Sequence, residues 1–294
     1  MIRYPITRKA LEKLITAKSK DWLERAAAKT KVFREAGSYD EKSSIWSEVK
    51  PVYMQLQGEG KCAYCERQME AVALGAVEQD VEHFRPKGSV KAWKAAPKLT
   101  DAGVVFTPAP AGGKGYHLLP YHVFNYAASC KPCNSTLKKD RFPVAGKYNL
   151  KGTDPAMLKA EKPYLIYPIG TLDQDPEKLI EFQGASPVAA AKSGHARMRA
   201  LVTIEFFRLD DPEERKNLYR DRAILIMALY PLLKETGKGT APQKAAAKAT
   251  VKGFLKPALK HLNCAKSFAR LFAADPTEAG KVYQSAIQLI TTIS

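Results

Sequence analysis

Three runs of sequence, KCAYCERQ (residues 61–68), DVEHFRPKG (80–88) and HVFNYAASCKPCNSTLKKDRFPV (122–144), decide how this chain is organised. They carry two Cys-x-x-Cys pairs, Cys62/Cys65 and Cys130/Cys133, with an acid–His sequence between them and Asn134 directly after the last cysteine. Four thiolates in two close pairs meet the tetrahedral demand of a structural zinc ion, because each Cys-x-x-Cys turn aims both sulfurs at one point. The long span between the pairs is compatible with this, since a metal clip can close a long excursion at modest entropic cost. Disulfides of a secreted protein and a thioredoxin-like redox motif are the competing assignments. No secretory signal precedes the pairs and no βαβ context surrounds Cys62, so the spacing predicts structural zinc and a cytoplasmic setting.

A second site is enclosed by the first. In Asp80-Val81-Glu82-His83 the two carboxylates have strand spacing and share a face. Pro86 and Gly88 then end the strand, which puts His83 at a strand terminus beside a carboxylate. A neutral imidazole in that place can take a proton from water, and a nearby divalent cation can stabilise a departing oxyanion. Oxygen donors from Glu82 or Asp80 and from the Asn134 amide suit magnesium or manganese rather than zinc. The expectation is two ions, one structural and one catalytic.

The three runs together resemble the HNH, or ββα-metal, endonuclease family. That family has an acid–His pair at the end of a first strand, a central asparagine, and a helix carrying a third polar residue, here pinned by two Cys-x-x-Cys pairs. The resemblance implies that Glu82 is a metal ligand and His83 the general base. It implies further that Asn125 orients the loop bearing the base and that Asn134 stands in for the final histidine. Lys138 and Arg141 match the end of the motif, where basic side chains meet phosphate, and Arg85 and Lys87 join them as expected phosphate contacts. The stretches GKCAYCE (60–66), EHFRPK (82–87), GYHLL (115–119), CNS (133–135) and RFP (141–143) further resemble the HNH nucleases of bacterial anti-phage systems, the Septu type and the related retron-associated nucleases. The likeness extends to RLD (208–210) and YRDR (219–222). It implies a DNA-cleaving effector of a defence system, held by an ATPase partner.

Composition agrees with a polyanion partner. The 294 residues carry a formal net charge of +17, and displacing counterions from nucleic acid favours binding by so basic a chain. No run of apolar residues is long enough for a membrane span. The fold class expected is α+β and mostly helical, with a central ββα-metal unit flanked by N- and C-terminal helices. The expected divisions are a helical segment at 1–60, the nuclease unit with its zinc knuckle at 61–150, a connector at 151–190 and a helical region at 191–294. A zinc-stabilised nucleic-acid-binding module, or a scaffold subunit without catalysis, is the alternative reading.

Details along the chain sharpen this outline. Thr7 is a plausible cap for a helix with Leu11 and Ile15 on one stripe, and Trp22 and Trp46 read as core. Pro51 should kink a helix or begin a separate turn. Short strands are expected near 80–84 and 116–120, at Tyr164–Tyr167 and at Leu179–Phe182, and a helix near Pro132. Residues 89–114, rich in Pro, Ala and Gly, read as a mobile loop or a β excursion. A helix is expected from Asp211 to about Leu233, with arginines that form intrahelical salt bridges. Lys244, Lys248, Lys252, Lys256 and Lys260 recur every four residues, stacking like charge along one face that a polyanion would relieve. Cys264 reads as a buried apolar residue.

Overall fold

The structure, a computed structural model, describes residues 1–75 and 79–293. Its N-terminal part is three helices wrapped round a short antiparallel pair of strands. Helix α1 (Arg8–Lys18) starts where Thr7 Oγ1 accepts a hydrogen bond from the Ala10 amide at 3.2 Å. It buries Leu11 and Ile15. Helix α2 (Trp22–Ala36) stops at Gly37, whose φ of 66° is the left-handed conformation that glycine adopts without strain. Helix α3 (Trp46–Leu56) runs on through Pro51, the burial of Val49, Val52, Tyr53 and Met54 offsetting the missing amide donor. Trp22 is fully buried, donates from its indole nitrogen to the Ile45 carbonyl at 2.8 Å, and meets Tyr121 and Tyr126 edge-on.

Strand β1 (Gln79–His83) pairs with β2 (Tyr126–Cys130), Gln79 opposite Cys130 and His83 opposite Tyr126. The second strand therefore lies ten residues beyond the 116–120 segment where periodicity placed it. Residues 116–125 instead make successive turns, closed by hydrogen bonds such as Leu119 N to Tyr116 O and Asn125 N to His122 O. The run Tyr-Ala-Ala-Ser-Cys has little of the β-branched character that marks a strand. It becomes one because its small side chains fit under α3, where the buried Gln57 amide receives the Ala128 N–H at 2.7 Å and donates to the Ala128 carbonyl at 2.9 Å. A helical segment, Pro132–Lys138, follows β2 with one wide turn, the Lys139 amide reaching back to the Asn134 carbonyl.

The 89–114 insertion is packed rather than loose. It contains helix α4 (Pro97–Asp101), and Leu99 and Val104 are buried with Tyr164 and Val202 in a small core of their own. Trp93 packs between Phe106 and Phe206. These apolar anchors outweigh the turn-forming composition that suggested a mobile loop. Tyr164–Tyr167 is buried but lies outside the sheets, joined to the chain before it by an isolated bridge between Val144 and Pro163. The expected strand near 179–182 is β3 (Ile180–Gln183), which forms a hairpin with β4 (Ser186–Ala189).

Helix α5 (Gly194–Phe206) belongs to the same large core as the N-terminal helices, through Ala200, Ile204 and Phe206. Helices α6 (Lys216–Glu235), α7 (Ala241–Phe254), α8 (Leu262–Ala274) and α9 (Pro276–Ile293) build a second core around Ala223, Ile226, Leu229, Cys264 and Phe268. Helix α6 starts five residues later than Asp211, which caps a turn of its own by accepting from the amides of Glu213 and Glu214. Arg222 is buried and donates to the carbonyls of Ala185 and Leu209, so it braces α6 against the hairpin instead of pairing along the helix. Of the described helices, none is long and apolar enough to cross a membrane. The described residues thus form a mostly helical α+β fold with two small two-stranded sheets.

Candidate metal centre and adjoining cleft

The two Cys-x-x-Cys turns meet at one end of the β1–β2 pair. Cys62 and Cys65 sit in a tight turn closed by the Glu66 amide bonding to the Cys62 carbonyl at 3.1 Å, and tied to β2 where the Ala63 amide bonds to the Ala128 carbonyl at 3.0 Å. Cys130 ends β2, and Cys133 opens the helical segment behind it. All four sulfurs are buried and lie within 4.8 Å of one another. The Cys65 and Cys130 sulfurs are 3.8 Å apart, which matches the edge of ~3.8 Å expected of a tetrahedron with Zn–S bonds of ~2.3 Å. The donor set and its spacing fit a structural zinc ion. Arg215, just before α6, donates from Nη2 to the Cys133 sulfur at 3.3 Å. Its positive charge offsets part of the charge that four thiolates leave over after one divalent ion.

The other end of the strand pair is His83, ~13 Å further along at strand rise. Its Nε2 lies 3.2 Å from the Pro120 carbonyl, which also accepts from the Tyr126 hydroxyl. A carbonyl can only accept, so Nε2 carries the proton and Nδ1 keeps a lone pair. The ring is 7% exposed and is held edge-on by Trp46 at 4.9 Å and Tyr126 at 5.1 Å. Burial, reinforced by the charge of Lys87, holds the imidazole well below its usual pKa despite the bond to Pro120, so it is neutral at pH 7.

Around it, the acids are already engaged. Glu82 is buried with its carboxylate 2.9 Å from the Lys138 ammonium. Burial pushes Glu82 up to about 7, against the opposing pull of Lys138 and then Lys87. Asp80 Oδ2 accepts from Asn134 Nδ2 at 3.1 Å and from the Ser135 hydroxyl at 2.9 Å. A cleft of about 210 Å³ is lined by Glu82, His83, Lys87, Asn134, Ser135 and Asp140, with Lys87 lying over the Trp46 ring at 4.7 Å.

The structure therefore brings Glu82, His83, Lys87 and Asn134 to one cleft, with Asp80 attached to Asn134. Asn125 lies behind it, fully buried. Its Oδ1 accepts from the Arg85 amide at 2.7 Å, and its Nδ2 donates to the carbonyls of Arg85 and Leu119 at 3.0 Å. Among the described residues the four cysteines are the one cluster of three or more His, Cys, Asp or Glu drawn together within 4.8 Å, so Asp80 and Glu82 have no third such partner.

Two expected phosphate contacts are elsewhere. Arg85 is buried beyond the end of β1 at His83, its Nε donating to Glu161 at 3.0 Å, and it lines a different cavity from the His83 cleft. Lys138 is fully buried, spent on Glu82 and on the His83 carbonyl at 3.3 Å. Arg141 is half-buried and closes the helical segment by donating to the Leu137 carbonyl at 3.0 Å. Sequence reasoning also missed Trp46 and Pro120 around His83, and Arg215 at the sulfurs. Their separations along the chain leave no local signal by which to find them.

The class these observations define is a basic, mostly helical α+β protein with a buried four-cysteine metal centre beside an acid–His cleft. In comparison with known proteins, the chain is 25% identical over 162 residues to the Septu protein PtuB of Bacillus mycoides, an alignment covering 55% of this chain. It covers 48% of that relative, so the chain spans about half the length of the curated protein it matches. No family model matches, and no solved structure does.

Proposed function

We propose that this chain is a metal-dependent endonuclease of the HNH type that hydrolyses DNA, and that it serves in anti-phage defence alongside an ATPase partner. One observation carries the proposal. At the end of β1, a neutral His83 is clamped through Nε2 to the Pro120 carbonyl, and it shares a cleft with Glu82 and Asn134. The clamp leaves Nδ1 as the only basic position on the ring, in the tautomer that accepts a proton from water. Asn125 holds the backbone on both sides of the clamp, at Arg85 and at Leu119, and so positions the base without touching substrate.

Glu82 and Asn134 offer oxygen donors suited to magnesium or manganese, with Asp80 steadying the Asn134 amide. A bound divalent ion would stabilise the charge that develops on the leaving oxygen. Lys87, on the cleft wall, is the basic group placed to meet a phosphate, and Arg141 beside the helical segment is the next. The +17 net charge favours a nucleic acid as the partner, and the resemblance to Septu proteins supports the defence setting.

The test is nicking of supercoiled plasmid in magnesium or manganese by the wild type and by His83→Ala. Loss of a general base predicts a fall of ~10²–10⁴-fold, and equal nicking by both proteins would remove His83 from the reaction. The second reading, a nucleic-acid-binding module without catalysis, is favoured by the engagement of Glu82 with Lys138. A wild type that retards plasmid but nicks it with neither ion would establish that reading.

A further inference from the structure

A cavity of about 480 Å³ lies on the far side of the segment that follows β1, lined by Phe84, Arg85, Lys159, Lys162, Tyr167 and Arg199, none of which lines the His83 cleft. Its volume is that of an ordinary small-molecule site. One wall is aromatic, Phe84 and Tyr167 lying 4.9 Å apart at a tilt, and Leu158 and Leu172 extend it. The rest is basic beyond what the protein itself neutralises. Among the described residues Asp173 is the single acid in the lining, and both its oxygens are held by Arg199, at 2.6 and 2.5 Å. Arg85 gives only its Nε to Glu161, whose other oxygen is taken by the Tyr116 hydroxyl and the Asn149 amide.

Several donors are left over at this place. The Arg85 guanidinium, with its Nε on Glu161, lies over the Phe84, Tyr116 and Phe142 rings at 5.8, 5.8 and 5.1 Å. Arg199, 4% exposed, has a buried Nε without one. Lys159 and Lys162 stand exposed at the rim in no ion pair among the described residues. Lys162 is held at a φ of 47°, a left-handed conformation that costs lysine more than glycine and persists because the surrounding turn imposes it. A buried donor without an acceptor is expensive, and a cavity walled by cations concentrates anions. An aromatic wall suits a planar ring.

We propose that this cavity binds a free mononucleotide, its phosphate taken by Lys159, Lys162 and Arg85 and its base laid against Phe84 and Tyr167. The site is separate from the His83 cleft, and the proposal does not depend on the endonuclease reading.

Calorimetric titration of the intact protein with AMP, ADP and ATP, without added divalent metal, tests it. Inorganic phosphate and a 5′-phosphorylated oligonucleotide serve as comparison ligands. The expected result is one site per chain for at least one of the three nucleotides, tighter than phosphate, and weakened tenfold or more in Lys159→Glu/Lys162→Glu. Both lysines are exposed, so the fold survives the change. The control variant Lys18→Glu/Lys20→Glu alters net charge equally at exposed positions at the end of α1 and should bind like the wild type. The proposal is overturned by absence of binding, by phosphate or the oligonucleotide binding as tightly as the nucleotides, or by the α1 variant losing as much affinity as the rim variant.

Discussion

The Lys138 ammonium lies 2.9 Å from the Glu82 carboxylate, both side chains being buried. The pair joins the end of β1 to the helical segment behind the cysteines, and so ties the cleft to the metal centre. Its balance is fine, because burial has raised Glu82 to about 7 in spite of its partner. Removing the lysine lifts the acid further, so Glu82 takes up a proton at pH 7 and its buried oxygen loses the ammonium donor, which keeps the cost at the low end for a broken pair. Lys138→Met should therefore cost about 3 kcal/mol, at the lower end of the range for broken buried pairs. Urea unfolding checks this, and Glu82→Gln/Lys138→Met should recover more than half of the loss. An unchanged midpoint in the single variant would show that the pair contributes nothing.

Asn125 makes three hydrogen bonds while fully buried, two of them to the backbone of Arg85 and one to that of Leu119. In Asn125→Ala an amide and two carbonyls lose their partner, for a cost of roughly 3 kcal/mol. The loss should also free the loop that bears Pro120, so exchange of the His83 Nε2 proton measured by NMR should quicken. Slow exchange with normal stability would contradict the clamp.

Zinc should be present at one atom per chain, measured by elemental analysis, and its removal by a strong chelator should lower the thermal midpoint. Arg215→Ala takes away the donor on the Cys133 sulfur and should speed zinc release to a chromogenic chelator by about tenfold or more. Arg215→Lys should restore part of the retention. Identical release from all three proteins would mean that the contact does not govern the metal.

Burial drives His122 down to about 4, the nearby Asp154 only partly opposing it. Unfolded, the residue titrates at ~6.5, so the unfolded chain binds the proton first. Stability is complete above pH 6.5 and falls as the pH drops toward 4, by roughly 3 kcal/mol in total. The imidazole Nδ1 accepts from the Phe124 amide at 3.2 Å, a role that an asparagine side chain can take over. In His122→Asn the share of acid sensitivity due to this residue should vanish, as seen in urea midpoints at pH 7 and pH 4.5. An identical pH dependence in both proteins would exclude His122 as its source.

Much of the outline was legible in the residues. The Thr7 cap, the buried Leu11 and Ile15, the strand at Glu82 and the buried Cys264 follow from short-range rules that the structure respects. The strand at 126–130 was not legible, because Ala127 and Ala128 have no strand propensity and are recruited by Gln57 from α3. Nor was the packing of Leu99 and Val104, since a loop-like composition says nothing of where a few apolar anchors will land.

By itself the sequence determined the four thiol donors, since ligands two residues apart share one turn and their spacing is a local property. It also set the basic charge and the adjacency of Glu82 and His83. Only the tertiary structure decided which nitrogen of His83 holds the proton, that Lys138 sits on Glu82, and that Arg85 faces a different cavity from its neighbour two residues on. Those outcomes depend on Pro120, Glu161 and the Pro132–Lys138 turn, groups distant in the chain, and contacts across such distances are chosen by the packing of the whole core.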